Sequence, residues 1–335
     1  MHSTIRDVAS AAGVSKATVS RVLNGHATVD AILTGRVHAA AQQLGYRPNG
    51  LARSLRMRAT TVIEMVIADV TNPFFTAMVR GVEDAAQAAG YSVVLANADE
   101  DLAKEARYIE VAAAERMAGV IMCPASETDT RVELLLDRGI PVIAVDRRLR
   151  TAAVDSVTVN NRAASRDAVA HLLAQGCRRI GLIGGLAGTT TSNDRHAGYR
   201  DALRQGAVPM DIDLVVDGGF RIDGGYEATL GLMRRREPPD GLFIANNLMT
   251  LGAVGALADA ELRFPQDVAV VGFDDVPWAD PLRGRMSVVS QPAYDMGRRA
   301  AGLLLRRIQG EDFPPQRLVL PATLRIGASS VRRPG

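Results

Sequence analysis

Cysteine is nearly absent from this chain. Cys123 and Cys177 are the two in 335 residues, which excludes a disulfide framework and points to reduced core thiols in a cytoplasmic protein. Aromatic residues are scarce as well, 4% against 47% hydrophobic overall, a balance that fits an α/β protein rich in Ala, Val and Leu. No apolar run reaches membrane length and the start of the chain carries no apolar export segment, so neither insertion nor secretion is expected. Nucleotide-binding signatures are missing too: Gly184-Gly185-Leu186-Ala187-Gly188 has neither a following Lys-Ser/Thr nor GxGxxG spacing. There is no GxSxG elbow, no HExxH and no His/Cys cluster, and His171 and His196 stand alone as surface or packing residues. No catalytic residue, metal site or cofactor is therefore expected. An enzyme acting on sugars is disfavoured, because no nucleophile–base pair accompanies the carboxylates.

Charge is present but unevenly placed. Residues 1–60 carry eight basic groups (Arg6, Lys16, Arg21, Arg36, Arg47, Arg53, Arg56, Arg58) against Asp7 and Asp30, a balance of +6. The whole chain is +2, so the remaining 275 residues carry −4. A basic front joined to an acidic body suits a nucleic-acid-binding module attached to something else. Within that front, Thr4 and Asp7 form a capping-box pattern, and Ile5, Val8, Ala9 and Ala12 recur at helical spacing. Gly13-Val14 breaks the pattern. Ser15 caps a second helix with Val19, Val22 and Leu23 inward, and Asn24-Gly25 stops it. Two short helices joined by a Gly-containing turn make a helix-turn-helix, whose second helix fits a DNA major groove. Lys16, Ala17, Ser20 and Arg21 fall on its outer face, and Arg is the residue suited to guanine O6/N7.

A third helix is expected over Val37–Leu44. Leu51, Ala52 and Leu55 then recur at helical spacing in a segment bearing Arg47, Arg53, Arg56 and Arg58, which favours a DNA-docking hinge helix over a plain linker. From residue 61 onward, strand-like runs at 62–67, 91–96, 119–122, 141–145, 154–159, 179–184, 213–217, 241–245 and 268–272 alternate with helical patterns. The latter lie at 76–89, 103–116, 130–138, 162–175, 195–205, 224–236, 249–260 and 293–309. Continuous apolar strands alternating with helices specify parallel sheets covered on both faces. About ten strands over 270 residues are best housed in two doubly wound lobes, with a ligand cleft at the strands' carboxyl ends.

These features together resemble the lactose-repressor (LacI/GalR) family of bacterial transcription regulators. TIRDVASAAGVSKATVSRVLNG, LGYRPNGLARSL, VTNPFF, VDRR, GCRRIGLIGG, RHAGYRDAL, ANN, VGFDD and SVVSQP follow in the family's order over essentially the whole chain. The resemblance implies a homodimer on a pseudo-palindromic double-stranded operator. It also implies an α/β fold in which an N-terminal all-α helix-turn-helix module precedes two doubly wound parallel-sheet lobes resembling a periplasmic binding protein. The expected divisions are 1–47 for the DNA-reading module, 48–60 for the hinge and 61–335 for the core. The core divides into an N-lobe of about 61–160 with 291–321 and a C-lobe of about 161–290 with 322–335. The DNA-facing set comprises Thr4, Ser15, Lys16, Ala17, Thr18, Ser20, Arg21, Asn24, Asn49, Ala52, Arg53 and Leu55. Lys16, Ala17 and Arg21 sit where the family reads bases, and Leu55 where paired hinge leucines wedge into the minor groove. One stretch departs from the family: Ala31-Ile32-Leu33-Thr34-Gly35 replaces the usual start of the third helix, with Thr34 in place of a phosphate-contacting Arg.

The core also resembles ribose-type sugar-binding proteins. Its candidate effector residues are Asn72, Phe74, Phe75, Asp146, Arg147, Arg195 opening the RHAGY helix, Phe220, Asn246, Asp274 and, on a crossover, Gln291. Each is placed at a strand's carboxyl end or in an adjoining loop. Aromatic faces with Asp, Asn, Arg and Gln around them suit a monosaccharide; a purine or nucleoside stacked on Phe is the alternative effector. Asp275 reads as structural, and Asn247 stands where the family commonly has Asp. A solute-binding transport component is a further alternative for the core alone, disfavoured by the basic front. The tail from Ala328 shows no leucine heptads, so a dimer without a tetramerising coiled coil is expected.

Overall fold

The computed structural model describes residues 4–23, 30–46, 60–275 and 285–332. The chain divides into two compact units, residues 1–60 and 61–335. In the first, helices α1 (Ile5–Ala12), α2 (Lys16–Leu23) and α3 (Ala31–Gln43) enclose a small core of Val8, Ala12, Val19, Val22, Val37 and Ala40. The Thr4 amide and hydroxyl both donate to Asp7 Oδ2, at 2.7 and 2.8 Å, so the capping box is made. Gly13 ends α1 in the left-handed region at φ 61°, the conformation glycine adopts without penalty. Ser15 Oγ accepts from the Thr18 amide at 3.1 Å and starts α2.

The third helix begins six residues before the expected Val37. Asp30 caps it, accepting from the Ile32 and Leu33 amides at 2.8 and 3.3 Å, and Thr34 Oγ1 donates to the Asp30 carbonyl. This cap outweighs the roughly 0.5–1 kcal/mol that Gly35 costs. Arg36 is not a free positive charge: its Nη2 donates to the Ala12 carbonyl at 2.7 Å, a cation on the carboxyl end of α1.

The second unit holds two six-stranded sheets. The first lobe orders its strands β11-β5-β4-β3-β1-β2, from β1 (Val62–Ile67), β2 (Ser92–Asn97), β3 (Gly119–Met122), β4 (Val142–Val145), β5 (Asp155–Val159) and β11 (Arg317–Leu320). The second orders them β12-β10-β9-β8-β6-β7, from β6 (Ile180–Gly184), β7 (Val215–Asp217), β8 (Gly241–Ile244), β9 (Ala269–Phe273), β10 (Ser287–Ser290) and β12 (Thr323–Arg325). Helices α4 (Pro73–Ala88), α5 (Leu102–Ala114), α6 (Glu133–Leu136), α7 (Asn161–Ala174), α8 (Thr190–Gln205), α9 (Ile222–Met233), α10 (Asn247–Asp259) and α11 (Ala293–Ile308) join and cover them. Among the described residues no helix is long and apolar enough to cross a membrane.

The chain passes between the lobes three times, after β5, β10 and β11. This explains the one departure from parallel pairing, β12 against β10. Every parallel strand runs toward the crossings, whereas β12 follows a crossing directly and can only run away from it. Strands β10, β11 and β12 have no counterpart among the expected runs. Helix pairs approach to backbone contact through glycine. A Cβ on Gly297 of α11 would lie 2.0 Å from the Met78 carbonyl of α4, and one on Gly252 of α10 1.9 Å from the Ile222 carbonyl of α9.

Candidate ligand cleft and nucleic-acid interface

The loops at the carboxyl ends of the parallel strands face one another across the crossings and line a cleft. Two aspartates define the chemistry, and they occupy equivalent places. Asp146 directly follows β4 and Asp274 directly follows β9. Both are left-handed, at φ 62° and 72°. Each is pinned through its amide to the neighbouring strand, at the Val157 and Val289 carbonyls, 2.9 and 2.8 Å away. Phe220 and Glu100, also cleft residues, lie at φ 60°. Such conformations cost about 1–3 kcal/mol each in a non-glycine residue and persist where the surroundings over-determine them, typically at binding sites.

Asp146 is buried. The Cys123 thiol donates to its Oδ2 at 3.7 Å, while its Oδ1 is buried without any hydrogen-bond partner. Burial pushes its carboxyl above the usual range, against the pull of Arg147 and Arg195. Asp274 accepts from Gln291 Nε2, and burial pushes its pKa up to about 6 against Arg195 and that hydrogen bond. Arg195 stands between the two. It does not open its helix as the sequence suggested: α8 starts at Thr190, capped by Thr189, so Arg195 lies in its second turn. There its Nε donates to Asn161 Oδ1 at 2.8 Å, its Nη1 to the Ala245 carbonyl at 2.6 Å, and its guanidinium lies 3.8 Å from the Phe273 ring centre.

The aromatic walls are equally determined. Asn72 caps α4 by accepting from the Phe74 amide at 2.9 Å, which places Phe74 and Phe75 in the first turn, edge to face with ring centres 5.1 Å apart. Both belong to the first lobe's core as well as to the cleft. Phe220 packs so closely over Gly185 that a Cβ there would fall 1.9 Å from its ring, which gives the glycine-rich turn after β6 a role other than nucleotide binding. Asn246 holds the Phe220 carbonyl through Nδ2 at 3.1 Å and caps α10 through Oδ1 at 2.8 Å from the Met249 amide.

Links across the cleft join the lobes. Asn247, fully buried, donates to Asn72 Oδ1 at 3.0 Å, a bond that an Asp in its place would lack a proton to make when ionised. Asp99 pairs with Arg221 at 3.1 Å and Arg148 with Asp194 at 3.3 Å.

In the first unit, Lys16, Ala17 and Arg21 are exposed on α2, Thr18 and Ser20 are half-buried, and Thr4 and Ser15 are engaged in caps. Asn24, Asn49, Ala52, Arg53 and Leu55, and with them the hinge helix, lie outside the described residues.

Residues 4–49 match the pattern described as "Bacterial regulatory proteins, lacI family", and residues 169–330 that of a "Periplasmic binding protein-like domain". The "Ribose operon repressor" of Halalkalibacterium halodurans is 36% identical over 321 residues, 96% of this chain and 95% of that one. The chain belongs to the lacI family of bacterial regulatory proteins. Among solved structures, "transcriptional regulator CelR-cellobiose complex" has 33% identity and a TM-score of 0.74, covering 98% of this chain and 100% of that one. The lac repressor dimer bound to operator and the anti-inducer ONPF, 24% identical with a TM-score of 0.87 over 99% and 100% of the two chains, shares the fold.

As a lacI-family regulator the chain departs from its sequence-based site in two ways. Gln291 does not line this cleft; it reaches it through Asp274 and lines an adjoining cavity. Arg147 pairs with Glu100 in a two-pronged bridge of 2.6 Å on each prong, while Asp146 Oδ2 lies 3.8 Å from its Nε. Asp69, Glu100, Thr191 and Arg221 also line the cleft and were not foreseen. Asp69 and Glu100 follow β1 and β2, and the strand-end rule that selected the other residues would have selected both. Asp275, read as structural, pairs with Arg325 of β12 at 3.0 Å. His171 packs with its Nε2 2.7 Å from Ser330 Oγ.

Proposed function

We propose that this regulator is a dimeric repressor whose hold on a pseudo-palindromic operator is released by a monosaccharide, ribose-like or another aldose, bound between the lobes. The observation that carries this is the cleft: Phe75 and Phe220 present apolar faces, and Asp146, Arg195, Asn246 and Asp274 converge beside them. A buried carboxylate oxygen without a donor costs about 1–3 kcal/mol, and Asp146 Oδ1 is such an atom. A sugar has apolar C–H faces for the rings and hydroxyls that donate to carboxylates and accept from Arg and Asn. Relatives described as a ribose operon repressor and a cellobiose-bound regulator support a saccharide. A purine or nucleoside is the second reading, favoured by the two phenylalanines but offering few donors to two buried aspartates.

On the DNA side, α2 presents Lys16, Ala17 and Arg21 to the major groove. Ligand-driven rearrangement of the lobes acts on the hinge with a coupling of roughly 1–3 kcal/mol. Isothermal titration of the full chain with D-ribose, other aldoses, adenine and guanosine tests the effector, since tight purine binding with no response to any free sugar would overturn it. For the DNA side, Arg21→Ala weakens operator binding by about 1–3 kcal/mol and random-duplex binding much less. Equal loss on both duplexes would remove Arg21 as a base reader.

A further inference from the structure

We propose that Glu100 sets the charge class of the effector: it occupies the guanidinium fork of Arg147 and so reserves the cleft for an uncharged polyol, turning away phosphorylated or carboxylated forms. The proposal rests on the assignment of this cleft as the effector site.

An Arg fork is a ready receptor for the paired oxygens of a phosphate or carboxylate. In this cleft the receptor is already filled. Glu100 Oε2 and Oε1 accept from Arg147 Nη1 and Nη2, each at 2.6 Å, and Nη1 also donates to the Pro124 carbonyl at 3.1 Å. The side chains are 4% and 12% exposed, so the pair is screened little by water. Arg195 offers no second receptor of that kind, because its Nε and Nη1 are bound to Asn161 and Ala245. The lining charges taken together lean negative: Asp69, Glu100, Asp146 and Asp274 against Arg147, Arg195 and Arg221. An incoming dianion therefore meets two buried aspartates, finds the Arg147 fork taken and two Arg195 donors engaged, and meets Arg221 already held by Asp99. Glu100 stands, in effect, where an anionic group of the ligand would dock.

The local backbone supports a placed role. Asp99 and Glu100 are consecutive non-glycine residues in the left-handed region, at φ 56° and 60°. Asp99 reaches across the cleft to Arg221 while Glu100 reaches inward to Arg147. The turn after β2 thus closes one side of the cleft with carboxylates directed at two of its three arginines. A purely structural ion pair would show its removal in stability alone. A charge gate would change which ligands bind.

The test uses the full chain and three probes: D-ribose, D-ribose 5-phosphate and inorganic phosphate, by isothermal titration and thermal shift. The wild type is expected to take ribose and ignore both anions at millimolar concentration. Glu100→Gln is expected to shift the ratio of ribose 5-phosphate to ribose affinity by at least about tenfold, with inorganic phosphate alone raising the melting temperature, because the freed fork now accepts an anion. Adding Arg147→Gln should remove that gain. Glu100→Ala makes the same comparison if the Gln variant does not fold. Wild-type binding of ribose 5-phosphate as tight as ribose would overturn the proposal, and so would a folded Glu100 variant with no response to either anion. The sugar assignment fails separately. A wild type blind to every free sugar, whose Glu100 variants nevertheless gain phosphate binding, would leave the gate standing and the sugar assignment refuted.

Discussion

Replacing Asp274 with Asn is the sharpest probe of the cleft, because it removes one charge and changes almost no volume. Asp274 is buried, accepts from Gln291, and has a pKa pushed up to about 6 by burial. A ligand hydroxyl that donates to it makes a hydrogen bond to a charged acceptor, worth about 1.5–3 kcal/mol. Asp274→Asn should therefore weaken ribose binding roughly ten- to a hundredfold. The sign with pH follows from which form binds. The ligand favours the ionised carboxylate, so affinity is full above about pH 7 and falls as pH drops through 6. At pH 5 about one copy in eleven carries the charge, which weakens binding by about tenfold. Asp146, also pushed up by burial, adds a dependence of the same sign, so the variant should lose part of the slope. Stability of the empty protein moves oppositely. The unfolded chain ionises first as pH rises from about 4 to 6, so Asp274 costs the fold up to about 3 kcal/mol above pH 6, and the Asn variant escapes that cost. Isothermal titration with D-ribose at pH 5, 6, 7 and 8, with circular dichroism to establish folding, reads both effects. Wild-type affinity in Asp274→Asn, or an unchanged pH profile, would refute the reasoning.

Two further outcomes concern the scaffold. Glu64 lies on the same face of β1 as Val66, opposite Val94 and Val120, with Oε2 buried and unpaired and a pKa raised by burial to about 7. Its ionisation opposes folding above that pH, so Glu64→Met, apolar and of similar length, should raise the melting temperature more at pH 8 than at pH 5, by up to about 3 kcal/mol in stability. A loss at pH 8 would show that the buried carboxylate is stabilised by a partner and would refute the unpaired reading of Oε2. Gly252→Ala places a methyl 1.9 Å from the Ile222 carbonyl and must push α9 from α10, costing about 1–3 kcal/mol, whereas Gly231→Ala, with open space, should be neutral or slightly stabilising. Denaturant unfolding of the two variants checks this, and equal stabilities would remove the close-approach argument.

Much of this protein is written locally. The capping pair Thr4 and Asp7, the Gly13 break and the spacing of Val19 and Val22 lie within one or two helical turns, so the helix-turn-helix needs no distant information. Apolar strands alternating with helices announce two doubly wound lobes, and the rule that ligands meet strand carboxyl ends selects Asn72, Phe75, Asp146, Phe220, Asn246 and Asp274. What tertiary structure decided is pairing. Glu100 with Arg147, Asn72 with Asn247 and Phe220 with Gly185 join residues 47, 175 and 35 positions apart, and no periodicity carries that. Strand β11 exists because β5, laid down about 160 residues earlier, is waiting for it. The antiparallel sense of β12 follows from the side on which the third crossing delivers it. The charge of the cleft is a property of that arrangement. The same four carboxylates and three arginines, paired differently, would open the Arg147 fork to an anion; the turn after β2, within the same lobe, fills it.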